Sequence, residues 1–321
     1  MRRVIRRLLT VILIAVGLGL VGGFLGGVQP VGDSRAVFRG VLTATALILA
    51  VLLIWTRARF RGLISVLLGI GGLATLLPHW VAATDAARPP GGSYALYQKN
   101  LSLRARAPEQ VLTDIRRTDP DFITLQEVTA DNRAVLDGLP PNYLTRHWCA
   151  FNAVGGVAVA SVFPPLPDSE ICLDGYGMAA VTVEPLDGPM RVISVHLHWP
   201  WPRGQGAQLE VLMPYFASEG GATLIGGDFN MVRWSETLSR IMVLTRTEAV
   251  GTSMVTLPMS DLPFGGLSID HVLAPTGGTL ERRPLLGSDH YGLLARFARV
   301  RPGPYAGDRT GFSSGFQSHP R

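Results

Sequence analysis

Charge is scarce in this sequence. Asp, Glu, Lys and Arg make up 17% of the 321 residues, against about 25% in an ordinary soluble domain. Lysine is almost missing: Lys99 is the single one, and arginine supplies the rest of the 29 basic residues. Cysteine is confined to Cys149 and Cys172. No C-x-x-C pair or zinc-ligand spacing occurs, which leaves one disulfide or two buried thiols as the alternatives. No internal repeat stands out.

The charge that exists is divided along the chain. Residues 1–90 hold ten arginines against two acids, a net of +8, whereas residues 91–321 carry a net of −3. The pI near 9.6 therefore belongs to the N-terminal part. The remainder is slightly acidic, which weakens a reading as a nucleic-acid binder.

Apolar sequence is what the N-terminal part has in abundance. Leu8–Val28, Gly40–Thr56 and Gly62–Thr84 are uncharged runs of 21, 17 and 23 residues, close to the roughly 20 that span a bilayer. The first run, behind Arg2, Arg3, Arg6 and Arg7, would also suit a cleaved signal peptide. It is long for that role, and two further runs follow it. The expectation is three transmembrane helices within residues 1–84. Arg57, Arg59 and Arg61 separate the second and third, while only Arg35 and Arg39, partly offset by Asp33, separate the first and second. Arginine bias then puts both richer clusters in the cytoplasm and the C-terminal domain in the periplasm or outside the cell.

Residues 85–93 (DAARPPGGS) read as a linker, and residues 301–321 as a disordered tail. The roughly 205 residues between, 94–300, suffice for one domain. Short apolar runs recur there as strands, for example Phe122–Leu125, Val157–Val162, Arg191–Leu197, Thr223–Ile225 and Leu293–Phe297. Helical stretches fall at Pro108–Thr118, Ala130–Leu136, Gly206–Ser218 and Ser235–Ile241. The mixture predicts an α/β sandwich with largely antiparallel sheets.

Polar residues gather at the strand ends. Asn100 closes YALYQKN and Glu127 closes DFITLQE. His196 and His198 alternate in RVISVHLHW. Asp228 and Asn230 follow LIGG, Asp270 and His271 lie in LSIDHVLA, and Asp289 and His290 in GSDHYGLLARF. Each has an ordinary structural reading: Asn100 and Asp270 as turn residues, Glu127 at a helix N-terminus, His198 and His271 as packed strand residues. Together they place oxygen and imidazole groups where rigid scaffolds put reacting side chains.

In this order the motifs resemble the endonuclease/exonuclease/phosphatase superfamily of DNase I-like, magnesium-dependent phosphoesterases, over about residues 94–298. GDFN and GSDH are the most specific pieces, supported by QE, HL and IDHVLA. The resemblance implies a four-layer α/β sandwich with mainly antiparallel sheets, here preceded by the three transmembrane helices. It implies Mg²⁺ or Mn²⁺ held by Glu127 with Asn100 and Asp289. It further implies Asp228 on the attacking water, Asn230 on the phosphate or that water, His196 on the phosphate, and His290 paired with Asp270. The sequence departs from the family at Ser268, where Arg is usual, and at Gly292, where Pro is usual. The tyrosine expected between the Glu and His motifs has only Tyr143 as a candidate.

Three substrate readings follow. A membrane anchor with a short linker favours a lipid-linked phosphate, such as a polyprenyl pyrophosphate or a phospholipid head group, and the Trp199–Pro202 loop has the composition of an interfacial contact. A periplasmic nuclease acting on DNA or RNA is the alternative. A catalytically silent membrane scaffold is the third, and the intact residue set speaks against it.

Overall fold

The computed structural model describes residues 2–81, 92–104, 107–152, 155–217, 221–259 and 265–299. Most of the expected linker (85–91) and the whole expected tail (301–321) lie outside the described residues.

Four helices come first. α1 (Arg2–Gly22) and α4 (Arg59–Trp80) are each long and apolar enough to cross a membrane. α2 (Pro30–Val37) leads at a bend of 63° into the 17-residue α3 (Arg39–Trp55), and the pair together would make a third crossing. Leu9, Leu13, Val16 and Leu20 repeat at helical spacing and meet Ala46, Leu49 and Leu53. Small residues bring α4 close to α3: Ser65 Oγ donates to the Ala46 carbonyl (2.7 Å). A Cβ at Gly69 or Gly72 would strike Leu47 or Thr43. Small residues permit such close approach of two helix backbones.

The rest forms two six-stranded sheets and a short ribbon. The first sheet runs β13 (Gly278–Arg283), β14 (Gly292–Ala298), β1 (Ser93–Asn100), β2 (Phe122–Val128), β4 (Gly155–Ser161), β3 (Thr145–Asn152). The second runs β5 (Ile171–Leu173), β6 (Met178–Val183), β7 (Met190–His196), β8 (Ala222–Asp228), β12 (Asp270–Ala274), β9 (Glu248–Ala249). β10 (Leu257–Pro258) and β11 (Gly266–Leu267) pair separately. Within the sheets β1–β2 and β7–β8 are parallel and the other neighbours antiparallel.

Alternation along each strand decides the layers. Leu96, Phe122 and Val157 of the first sheet face Val181, Val192 and Leu224 of the second across one core. Their sequence neighbours Tyr97, Ile123 and Ala158 point outward, under α5 (Pro108–Thr118) and α6 (Ala134–Asp137). Ile193 and Ile225 point outward under α7 (Gln205–Phe216) and α8 (Glu236–Thr245). The result is the expected four-layer sandwich. The helix expected over Ala130–Leu136 is shorter, because Thr129 and Asn132 bond to each other's backbone and close a turn before α6. Cys149 on β3 and Cys172 on β5 form a disulfide that links the two sheets, with Cα atoms 5.4 Å apart.

The sandwich rests on one end of the helix bundle. Asp33, on α2, caps α8: its carboxylate accepts the Glu236 and Thr237 N–H groups (both 2.9 Å) and the Thr237 hydroxyl (2.6 Å). Trp234 Nε1 donates to the Ala36 carbonyl (2.8 Å), and the Ser253 N–H to the His79 carbonyl at the end of α4 (2.7 Å). At the opposite end of the bundle Arg61 donates to Thr10 Oγ1 (2.9 Å), one turn from Arg6 and Arg7.

Candidate active site

The two parallel pairs determine where the polar residues meet. Parallel neighbours end on the same edge, so Asn100 and Glu127 of β1 and β2, and His196 and Asp228 of β7 and β8, arrive together. β12 runs antiparallel to β8 and begins at Asp270, directly opposite Asp228. β14 begins just after His290.

Local backbone geometry aims two of these groups. Glu127 sits at an irregularity in the β2–β4 pairing with φ +54°, in the left-handed region. That turns its carboxylate out of the strand alternation and over the edge, where Oε1 accepts from Asn100 Nδ2 (3.2 Å) and Oε2 from the Leu103 N–H (2.6 Å). Asn230, at φ +48°, folds back so that its N–H reaches Asp228 Oδ1 (2.9 Å) and its Nδ2 the Leu197 carbonyl (2.8 Å).

Asp228 lies at the centre and is buried. Its Oδ2 receives Asn100 Nδ2 (3.0 Å) and stands 3.6 Å from His196 Nε2 and 3.8 Å from His290 Nε2. His290 Nδ1 lies 2.8 Å from Asp270 Oδ2. Asp270, His290 and Asp228 thus form a chain in which one imidazole bridges two buried carboxylates. Burial, with Asp270 nearby, pushes the Asp228 carboxyl up to about 7. Burial alone would lower the His290 pKa, but Asp270 and Asp228 raise it to about 10. Burial would likewise raise Asp270, yet the charge and hydrogen bond of His290 hold it below the usual range. The proton therefore rests on His290. His196 is kept neutral, down to about 4, chiefly by burial, and its buried Nδ1 has no partner among the described residues.

Asp289 is exposed beside His290, whose charge it favours. Asp228, Asp270 and Asp289 thus act on a single cationic imidazole, and Glu127 joins Asp228 through Asn100. This excess of hard anionic oxygen suits a divalent cation of the Mg²⁺ or Mn²⁺ kind.

Of the expected residues, the structure brings Asn100, Glu127, His196, Asp228, Asn230, Asp270 and His290 into one connected set. His271 points the other way and bonds the Met231 carbonyl (2.7 Å). The His198 ring packs on Phe151 (5.0 Å). Tyr143 is not part of the site: it is buried in the outer layer of the first sheet, and its hydroxyl donates to the Pro120 carbonyl (2.7 Å). Phe151 packs beside His196 instead, its ring 5.3 Å away.

Two supporting residues carry no motif in the sequence. Gln98 Nε2 donates to Asp270 Oδ1 (3.0 Å) and to Gln126 Oε1 (2.8 Å). Its position two residues before Asn100, on the same strand face, was the available signal. Lys99 is buried, and its ammonium donates to the carbonyls of Pro284 (3.2 Å), Leu285 (2.8 Å) and His290 (2.6 Å). It ties down the segment that presents Asp289 and His290.

Comparison with known proteins decides the family. The profile of the Endonuclease/Exonuclease/phosphatase family matches residues 96–290. The chain belongs to this family. Its members are metal-dependent phosphoric ester hydrolases, and the chain is an enzyme of that class. No curated protein sequence matches it. Among solved structures, D. rerio TDP2 humanised by 14 mutations is similar at 12% identity and a TM-score of 0.52, covering 64% of this chain and 99% of that one. A family protein from Leptotrichia buccalis C-1013-b gives 14% identity, a TM-score of 0.49 and coverage of 64% and 99%. A mutant beta toxin from Staphylococcus aureus with bound magnesium ions gives 14% identity, a TM-score of 0.48 and coverage of 64% and 99%. These likenesses concern the fold.

Proposed function

We propose that the chain is a membrane-anchored, Mg²⁺- or Mn²⁺-dependent phosphoesterase that hydrolyses lipid-linked phosphate at the outer face of the cell membrane. The observation that carries this reading is the docking of the sandwich on the helix bundle through Asp33, Ala36 and His79. It keeps the site beside the bilayer, where tethering raises the effective concentration of lipid head groups. The arginine-rich ends of α1 and α4 lie at the far end of the bundle, which favours the exported orientation. Residues 1–84 act as a three-helix anchor and 94–300 as the catalytic unit.

Glu127, with Asn100 and Asp289, would hold the cation, which supplies charge neutralisation at the phosphoryl oxygens. Asp228 orients the attacking water and accepts its proton. The His290 imidazolium, held charged by Asp270, binds phosphoryl oxygen, and His196 and the second N–H of Asn230 complete the cradle. A nuclease would need exposed cations along a groove. Residues 91–321 carry a net charge of −3, which disfavours that alternative.

The test compares Mg²⁺-dependent hydrolysis of a polyprenyl pyrophosphate in mixed micelles, inorganic pyrophosphate and duplex DNA by the full chain. The reading expects the lipid to be preferred over either soluble substrate by about tenfold or more in kcat/KM. Preference for DNA would replace it with the nuclease reading.

A further inference from the structure

A cavity of about 650 Å³ lies where the loop leaving α1 meets the outer helices of the second sheet. Val28 from that loop, Pro30 at the start of α2, Leu209 and Met213 from α7, and Leu244 from α8 supply an apolar lining, and Arg240 of α8 adds a guanidinium. Val28 and Leu244 are exposed. Arg240 is exposed and has no ion pair among the described residues, although Glu210 shares the lining. The volume falls within the range of sites for small organic ligands. Its position is set by the bundle: one wall begins four residues beyond the end of α1, which on the membrane-anchor reading is the level of head groups and the upper parts of the acyl chains.

The opposite wall reaches the catalytic strands. Gln205, also in the lining, donates to the His198 carbonyl (2.6 Å) and the Phe229 carbonyl (3.1 Å). These carbonyls belong to the segments that follow His196 and Asp228. Exposed Trp201, in the lining at the mouth, has the amphipathic character of interfacial residues.

We propose that this cavity binds a phospholipid from the surrounding bilayer, with one acyl chain against Leu209, Met213 and Leu244 and the lipid phosphate on Arg240. Arginine offers the forked donors that suit phosphate. The inference rests on the membrane-anchor half of the reading above and is independent of which phosphate ester is hydrolysed.

The test uses the full chain in vesicles of phosphatidylethanolamine and phosphatidylglycerol. A minor fraction of the phosphatidylglycerol carries a diazirine near the end of one acyl chain. After irradiation, adducts are expected on α7 and α8 at Leu209, Met213 or Leu244, as well as on the bundle. The double variant Arg240→Glu, Leu244→Glu changes two exposed positions, so folding is spared. It should lower the α7–α8 adducts by about fivefold or more while bis(p-nitrophenyl) phosphate hydrolysis stays at the wild-type rate. Adducts confined to α1, α3 and α4, or unchanged in the variant, would overturn the cavity assignment. Absence of adducts on those three helices would overturn the membrane anchor as well.

Discussion

Asp270 and His290 lie on either side of the strand edge with Oδ2 and Nδ1 2.8 Å apart, and the far nitrogen of the same imidazole faces Asp228 at 3.8 Å. The pair makes His290 a cation at neutral pH. Asp270→Asn removes the stabilising charge while keeping the shape. We expect kcat to fall by roughly 10²–10⁴-fold and the alkaline limb of the pH–rate profile to move toward neutrality.

The same pair makes a signed statement about stability. His290 is raised to about 10 in the fold, from about 6.5 in the unfolded chain. Its contribution is therefore complete below about pH 6.5 and disappears as pH rises through 10. Urea unfolding of metal-free wild type and Asp270→Asn should show the wild-type advantage at pH 6 and its decline toward pH 10. An advantage that grows with pH would contradict the assignment of the proton to His290.

Glu127 is the carboxylate turned over the strand edge by its backbone, and it anchors the proposed cation. Glu127→Gln should weaken Mg²⁺ binding by about 10–100-fold or more, read by calorimetry. In the wild type, Mg²⁺ at about 100 times its Kd should stabilise the fold by about 2.7 kcal/mol, and EDTA should reverse the gain. Equal affinity in the variant would move the cation elsewhere.

Lys99 offers a test of positioning. Lys99→Met leaves the buried His290 carbonyl and the partly exposed Pro284 and Leu285 carbonyls without their donor, and we expect a loss of roughly 1–3 kcal/mol in unfolding free energy. The segment from Pro284 to His290 should exchange its amide hydrogens faster, with kcat reduced more than KM is raised. Unchanged exchange there would make Lys99 a bystander.

The sequence shows the site more readily than its supports. Glu127 and Asp228 each end a short apolar run and His290 precedes one, so strand periodicity and motif order reveal them together. The turn at Glu127 is invisible, because a left-handed residue at a strand irregularity has no signature in an Asp-Phe-Ile-Thr-Leu-Gln-Glu string. Asp33 reads only as an acid offsetting two arginines. Its role as the cap of α8 depends on a partner 203 residues away. Lys99 reads as a compositional oddity until the carbonyls of a distant segment converge on it. The Cys149–Cys172 alternatives are resolved by the strand order that brings β3 and β5 together at the edges of two sheets.

Asp33→Ala should then cost about 1 kcal/mol through the lost cap and loosen the sandwich from the bundle. Turnover of a lipid-linked substrate should fall while that of a soluble ester stays unchanged. A parallel loss of both would mean that Asp33 supports the site rather than its placement.

The most direct test of the account is Mg²⁺-dependent phosphate release from a polyprenyl pyrophosphate in vesicles, measured for the full chain and for Asp228→Ala. Release is expected to disappear with Asp228→Ala and with EDTA. Release that survives either change, or no release from protein shown to bind Mg²⁺, would contradict it.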